Sequence, residues 1–140
     1  MRISMQKKQK YNTRKIVYDG ITFDSKDEIR RYNELLMLQR AGQICHLKYH
    51  EQFELIPAQY ETVERYSKTG KRLKDGVKLV ERAAVYTSDF SYYLKDTGEK
   101  IVEDVKCEKT KTEAYVLRRK LVYKIYGIKI KEIEYRHERK

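Results

Sequence analysis

The sequence predicts a mixed α/β domain, on three observations. Two stretches carry apolar residues at helical spacing between cap signals. β-rich runs separate and follow them, and an Asp-Gly hairpin signal precedes the first. The expected core order is helix, three strands, helix, strand, which lets a sheet take helices on both faces.

Residues 1–13 form a basic, Gln-containing tail, and the single domain is expected over 14–136, with a short tail at 137–140. Lys15–Tyr18 and Ile21–Phe23 flank Asp19-Gly20, a two-residue turn signal. Ser25 is placed as the N-cap of a helix whose apolar stripe runs through Ile29, Tyr32, Leu35 and Leu36 to Gln39, and Gly42 ends it. Ile44–Tyr49 and Gln52–Ile56 read as short strands, stopped at Pro57, the only proline. Residues 58–80 are polar, with turn signals at Thr69-Gly70 and Asp75-Gly76, and are expected to be an inserted hairpin or loop. Arg82–Leu94 reads as one long strand. Lys95–Gly98 turns the chain into a second, Lys100–Lys106. Thr112 caps a helix over 113–126, with Ala114, Leu117, Leu121 and Ile125 on its apolar face and Gly127 closing it. Ile128–Tyr135 is the last strand expected.

Composition narrows the function. The chain has 140 residues, 40% of them hydrophobic, and a mean hydropathy of -0.86. No run approaches the roughly 18–20 apolar residues of a membrane span. The N-terminus lacks the apolar region of a secretory signal. Cys45 and Cys107 are too few for a disulfide framework. A cytoplasmic protein is expected, in the host cytoplasm if phage-encoded. The net charge of +11 is unevenly spread: residues 1–18 carry +6, residues 106–140 carry +7, and the middle carries −2. Excess positive charge at both ends suits a polyanion, and DNA is the expected partner.

The chemistry concentrates in Ser88-Asp89-Phe90 and Glu103-Asp104-Val105-Lys106. Alternation along a strand puts Val102, Asp104 and Lys106 on one face and Ile101, Glu103 and Val105 on the other. The 95–98 turn lies about midway between Asp89 and Asp104, so pairing would bring the two carboxylates together. Such a pair repels itself unless a cation intervenes, and Mg²⁺ suits oxygen ligands of this kind. Lys106 would then orient or deprotonate a water, or neutralise charge building on a phosphate. The rival explanation is a salt-bridged hairpin on a solvated face. Phe90, Ile101, Val102 and Val105 argue against it, since they mark a buried strand pair.

Asp89 with Asp104-Val105-Lys106 resembles the motif of the PD-(D/E)xK nuclease superfamily, and the αβββαβ order resembles its restriction-endonuclease-like core. From Lys15 to Glu134 the chain is similar to a family of small phage and prophage proteins. The segments that carry this likeness are Tyr18–Ser25, Leu38–Ile44, Asp89-Phe90 with Tyr92, Glu103–Lys106 and Tyr126–Ile128. Ser88 stands where the motif's name has proline. The resemblance implies a metal-dependent endodeoxyribonuclease for phage DNA processing or recombination, like the enzymes that resolve branched junctions. Its catalytic residues would be Glu28, Asp89, Asp104 and Lys106, with Mg²⁺ (or Mn²⁺) on Asp89, Asp104 and Glu28. Two active sites on one junction would require a homodimer. A DNA-binding accessory protein without catalysis is the alternative.

Glu28 has two readings, because Ser25-x-x-Glu28 is also a capping box. Glu103 is the alternate carboxylate, turned away from Lys106 by the strand period. Cys45, His46, His50 and Cys107 have no spacing typical of zinc. Lys109, Lys111, Arg119, Lys120 and Lys124, with Lys7, Lys8, Lys10 and Arg14 in the N-terminal region, are the expected phosphate contacts.

Overall fold

A computed structural model describes residues 15–136. Lys7, Lys8, Lys10 and Arg14 lie outside the described residues. Strands β1 (Ile16–Tyr18) and β2 (Ile21–Phe23) form the expected hairpin. Asp19 and Gly20 both take positive φ, 52° and 74°, the mirror-image turn whose twist matches the flanking strands.

Helix α1 (Lys26–Arg40) starts at Ser25, whose hydroxyl accepts the Glu28 amide. Strands β3 (Ile44–Tyr49) and β4 (Gln52–Ile56) coincide with the two runs read from sequence. Beyond Pro57, β5 (Gln59–Tyr66) and β6 (Arg72–Glu81) pair only with each other, then β7 (Ala84–Thr87) returns along β4. Strands β8 (Phe90–Leu94) and β9 (Lys100–Val105) follow, then a 3-10 turn (Glu108–Thr110), helix α2 (Glu113–Tyr126) and β10 (Lys131–Ile133).

The central sheet has the order β10-β9-β8-β3. β3/β8 and β8/β9 are antiparallel and β9/β10 parallel. A parallel pair needs a crossover, and α2 supplies it. With the β4–β7 excursion set aside, the order is helix, three strands, helix, strand. The protein is a mixed α/β domain in which strands predominate.

The sheet separates two cores, and the two-residue period of β9 sorts its side chains between them. Ile101 and Val105 pack toward α1 with Phe23, Tyr32, Leu35, Ile44, Phe90 and Tyr92. Val102 packs on the other side with Phe53, Leu55, Tyr86, Tyr115 and Val122.

Four expectations are corrected. Arg82–Leu94 is two strands, because the chain changes partners at Ser88-Asp89. The Ser88 amide donates to Glu51 O and the Asp89 amide to Glu103 O, so the ladder passes from β4 to β9 at that step. Asp75-Gly76 lies inside β6, where a Cβ on Gly76 would stand 2.6 Å from Arg65 Cδ; the turn is at Ser67–Gly70. The buried face of α2 runs through Tyr115 and Val122, half-joined by Val116 and Leu121, while Ala114, Leu117 and Ile125 are exposed. The last strand is confined to Lys131–Ile133, since only those residues pair with β9.

Among the described residues, no helix is long and apolar enough to cross a membrane.

Candidate active site

Asp89 sits at the step between β7 and β8, and Asp104 lies near the end of the neighbouring β9. The β8/β9 pairing, with the Asp89 amide donating to Glu103 O, sets Asp89 beside Asp104, and the two carboxyls interact. Asp89 Oδ2 accepts the Val105 amide at 2.7 Å, which fixes the side chain across the end of β9. Asp104 is buried, and its Oδ2 accepts the Tyr86 hydroxyl at 2.8 Å. Lys106 Nζ stands 3.7 Å from Asp104 Oδ1 and 4.5 Å above the Tyr115 ring, held by charge on one side and a π face on the other.

Glu28 comes from the first turn of α1. Its Oε2 accepts the Asp24 amide at 2.9 Å, so the reciprocal capping bond runs to Asp24, one residue before the N-cap. Glu28 is therefore a helix cap, and its carboxyl also interacts electrostatically with Asp104 and Lys106.

The electrostatics follow from crowding. Burial raises the Asp89 carboxyl well above the ordinary carboxylate range, and its contact with Asp104 and the charge of Glu28 push the same way. Burial likewise raises Glu28, against the amide from Asp24, with Asp24 and Asp104 adding repulsion. The Tyr86 phenol is raised by burial and by Asp104, so it stays a hydrogen-bond donor across the accessible pH range.

A cleft of about 510 Å³ opens beside this cluster. Glu28, Lys106, Lys109 and Lys15 stand in its wall, together with Asp24, Ser25 and Thr112. Asp89 and Asp104 are not in the lining; Asp104 meets the cleft through Lys106. Asp89 and Glu28 are each pinned through one oxygen, whereas Asp104 has Tyr86 on one oxygen and Lys106 on the other. The second oxygen of Asp89 and of Glu28 accepts no hydrogen bond from an amide or hydroxyl among the described residues.

The donor set suits a hard divalent cation. Mg²⁺ is commonly held by one or two carboxylates, with its other positions filled by water and phosphate. Asp89 and Asp104 provide such a pair, and a cation between them would relieve the repulsion that raises Asp89. Among the described residues, however, no three His, Cys, Asp or Glu side chains are gathered closely enough to hold a metal. The fit is to the aspartate pair, with Glu28 one layer out.

The expected phosphate contacts divide. Lys109 faces the cleft, and Lys120 and Lys124 are both exposed on α2. Lys111 and Arg119 are both committed to Glu132, at 2.9 and 2.6 Å. Burial would raise the Glu132 carboxyl, but the Lys111 and Arg119 bonds outweigh it and hold the group below its ordinary value.

Tyr86 and Tyr115 touch Asp104 and Lys106, yet the sequence analysis does not single them out, and nothing local distinguishes them. A second network supports the far face of β9. Arg31 Nε and Nη2 hold the buried Glu103 carboxylate at 2.8 and 2.5 Å, and Tyr92 donates to it as well. The alternation that turned Glu103 from Lys106 thus gives it a structural partner on α1.

A family model described as a protein of unknown function (DUF1064) matches residues 8–137. The chain belongs to this family. Neither the curated proteins nor the solved structures hold a match to it. Membership carries no assigned chemistry, so a functional reading rests on the site itself.

Proposed function

We propose that the chain is a metal-dependent DNA endonuclease of the PD-(D/E)xK type, using Asp89, Asp104, Lys106 and Glu28. The observation that carries this reading is the approach of Asp89 and Asp104 at the end of a strand pair, with Lys106 3.7 Å from Asp104. The element order of the central sheet, with its parallel last strand, supports it.

Asp89 and Asp104 would hold Mg²⁺, with Glu28 on the cleft side. The ion would supply Lewis acidity toward a phosphodiester and offset its charge. The Val105 amide and the Tyr86 hydroxyl aim the two carboxylates, so the pair is set before substrate arrives. Lys106, held over Tyr115, would direct its ammonium at a phosphate oxygen or at the attacking water. The water's oxygen would join phosphorus as it gives up a proton to solvent, and the bond from phosphorus to one sugar oxygen would break, that oxygen taking a proton from solvent to leave as a hydroxyl. Lys15 and Lys109 in the cleft wall would hold flanking phosphates, positioning the backbone without reading its bases. A branched substrate would require two copies of the chain.

One observation favours a second reading, a DNA-binding accessory protein without catalysis. It is the lack, among the described residues, of three ligating groups close together. Incubating the protein with supercoiled plasmid separates the readings. Nicking with Mg²⁺ or Mn²⁺ that stops in EDTA and is lost in Asp104→Asn supports the nuclease. Binding without nicking under every metal supports the accessory protein.

A further inference from the structure

The β5–β6 ribbon belongs to neither core. Its strands of eight and ten residues would reach roughly 27 Å at about 3.3 Å per residue. Within those strands every residue is exposed except Val63 and Gly76, which are half-buried, and Val77 beside Gly76 is 72% exposed. No ribbon side chain joins either hydrophobic cluster. A lone two-stranded ribbon is marginally stable in water, so a projection of this length calls for a function outside the fold.

Its charge says which. Residues 65–74 carry Arg65, Lys68, Lys71, Arg72 and Lys74 with no acidic residue among them. Arg72 is paired with Asp75 and Glu64, whereas Arg65, Lys68, Lys71 and Lys74 make no ion pair among the described residues. The tip is therefore a cationic finger within a stretch, residues 19–105, whose net charge is −2. A DNA major groove admits a two-stranded ribbon, and phosphates on both rims attract cations carried on both of its strands.

We infer that the β5–β6 ribbon is a duplex-binding arm that enters a groove of double-stranded DNA, with Lys68, Lys71 and Lys74 on the phosphates. The inference rests on the reading of the chain as a protein that acts on DNA, and it adds a duplex-binding element remote in sequence from the cutting site. Apolar side chains near the ribbon base, Tyr60, Val77 and Leu79, are also exposed, so a second copy of the chain is the competing occupant.

The test measures binding of the full chain to a short fluorescent duplex in EDTA, over a salt series. Lys68→Gln, Lys71→Gln and Lys74→Gln combined should weaken binding by about tenfold or more. The slope of log affinity against log salt should fall by roughly 2 to 3, about 0.9 for each phosphate no longer neutralised. The matching Lys→Arg triple variant should bind like the wild type, which separates missing charge from a damaged ribbon. Wild-type affinity and slope in the Gln variant would overturn the inference, as would a wild-type chain with no salt-dependent duplex affinity. A shift from dimer to monomer in sedimentation, with binding abolished only below that transition, would assign the ribbon to a second copy instead. Plasmid nicking is read separately. A chain that binds through the tip but never cuts sinks the nuclease reading and leaves the arm. A chain that cuts while the Gln variant binds normally does the reverse.

Discussion

The hydroxyl of Tyr86 donates to Asp104 Oδ2 at 2.8 Å, joining strand β7, which pairs with β4, to strand β9 of the central sheet. Both side chains are buried. Asp104 is thus oriented by a strand from outside its own sheet, at the step where the chain leaves β7 for β8.

Tyr86→Phe removes that donor and leaves a buried carboxylate oxygen without it. A hydrogen bond to a charged group contributes about 1.5–3 kcal/mol, and a loss in that range is expected in urea denaturation at neutral pH. Nicking should slow as well, because Asp104 would no longer be aimed. Wild-type stability in the Phe variant would show that Asp104 finds its orientation elsewhere.

Asp104→Asn and Lys106→Ala should each lower the nicking rate by about 10²- to 10³-fold, the usual effect of removing one preorganised electrostatic group. Duplex affinity in EDTA should stay near wild type. Normal cutting by either variant would place the chemistry elsewhere.

Stability should depend on pH and divalent metal through Asp89. Its folded-state pKa lies above the unfolded value of about 3.9, so the folded protein keeps a proton that the unfolded chain releases. This contribution is fully present below about pH 4 and is lost as pH rises through the folded pKa. Thermal melting in EDTA should therefore show Asp89→Asn gaining on the wild type as pH rises. Mg²⁺ should raise the melting temperature of the wild type at about pH 8 and have little effect on the variant. A Mg²⁺ response equal in both proteins would exclude Asp89 as the ligand.

Arg31→Met strands the fully buried Glu103 carboxylate beneath α1. Breaking one side of such a pair costs about 3–5 kcal/mol, whereas replacing both partners by apolar groups is often nearly neutral. Arg31→Met combined with Glu103→Leu should recover most of the loss in a double-mutant cycle read by urea denaturation.

The local grammar of the chain was legible without its fold. Asp19-Gly20 set its turn because both positions tolerate positive φ. Ser25 and Thr112 announced their helices because short hydroxyl side chains accept the first orphan amides. The alternation in Ile101–Val105 correctly assigned Asp104 and Glu103 to opposite faces. These features depend on neighbours a few residues away, so a linear reading reaches them.

What the sequence by itself determined was therefore the alphabet of elements and the pairing of Asp89 with Asp104 across one turn. Tertiary structure alone decided which strands were neighbours. It broke Arg82–Leu94 in two, since the ladder bonds available to Ser88 and Asp89 lie on different strands. It brought Tyr86 to Asp104 and Arg31 to Glu103, partners 18 and 72 residues apart. It tied Lys111 and Arg119 to Glu132, because β10 returns parallel to β9 and sets Glu132 beside Asp104. It also exposed a cationic ribbon tip that averaging over residues 19–105 had cancelled. Charge sums and periodicities are local or additive quantities, whereas burial and long-range hydrogen bonds exist only once distant segments share a surface.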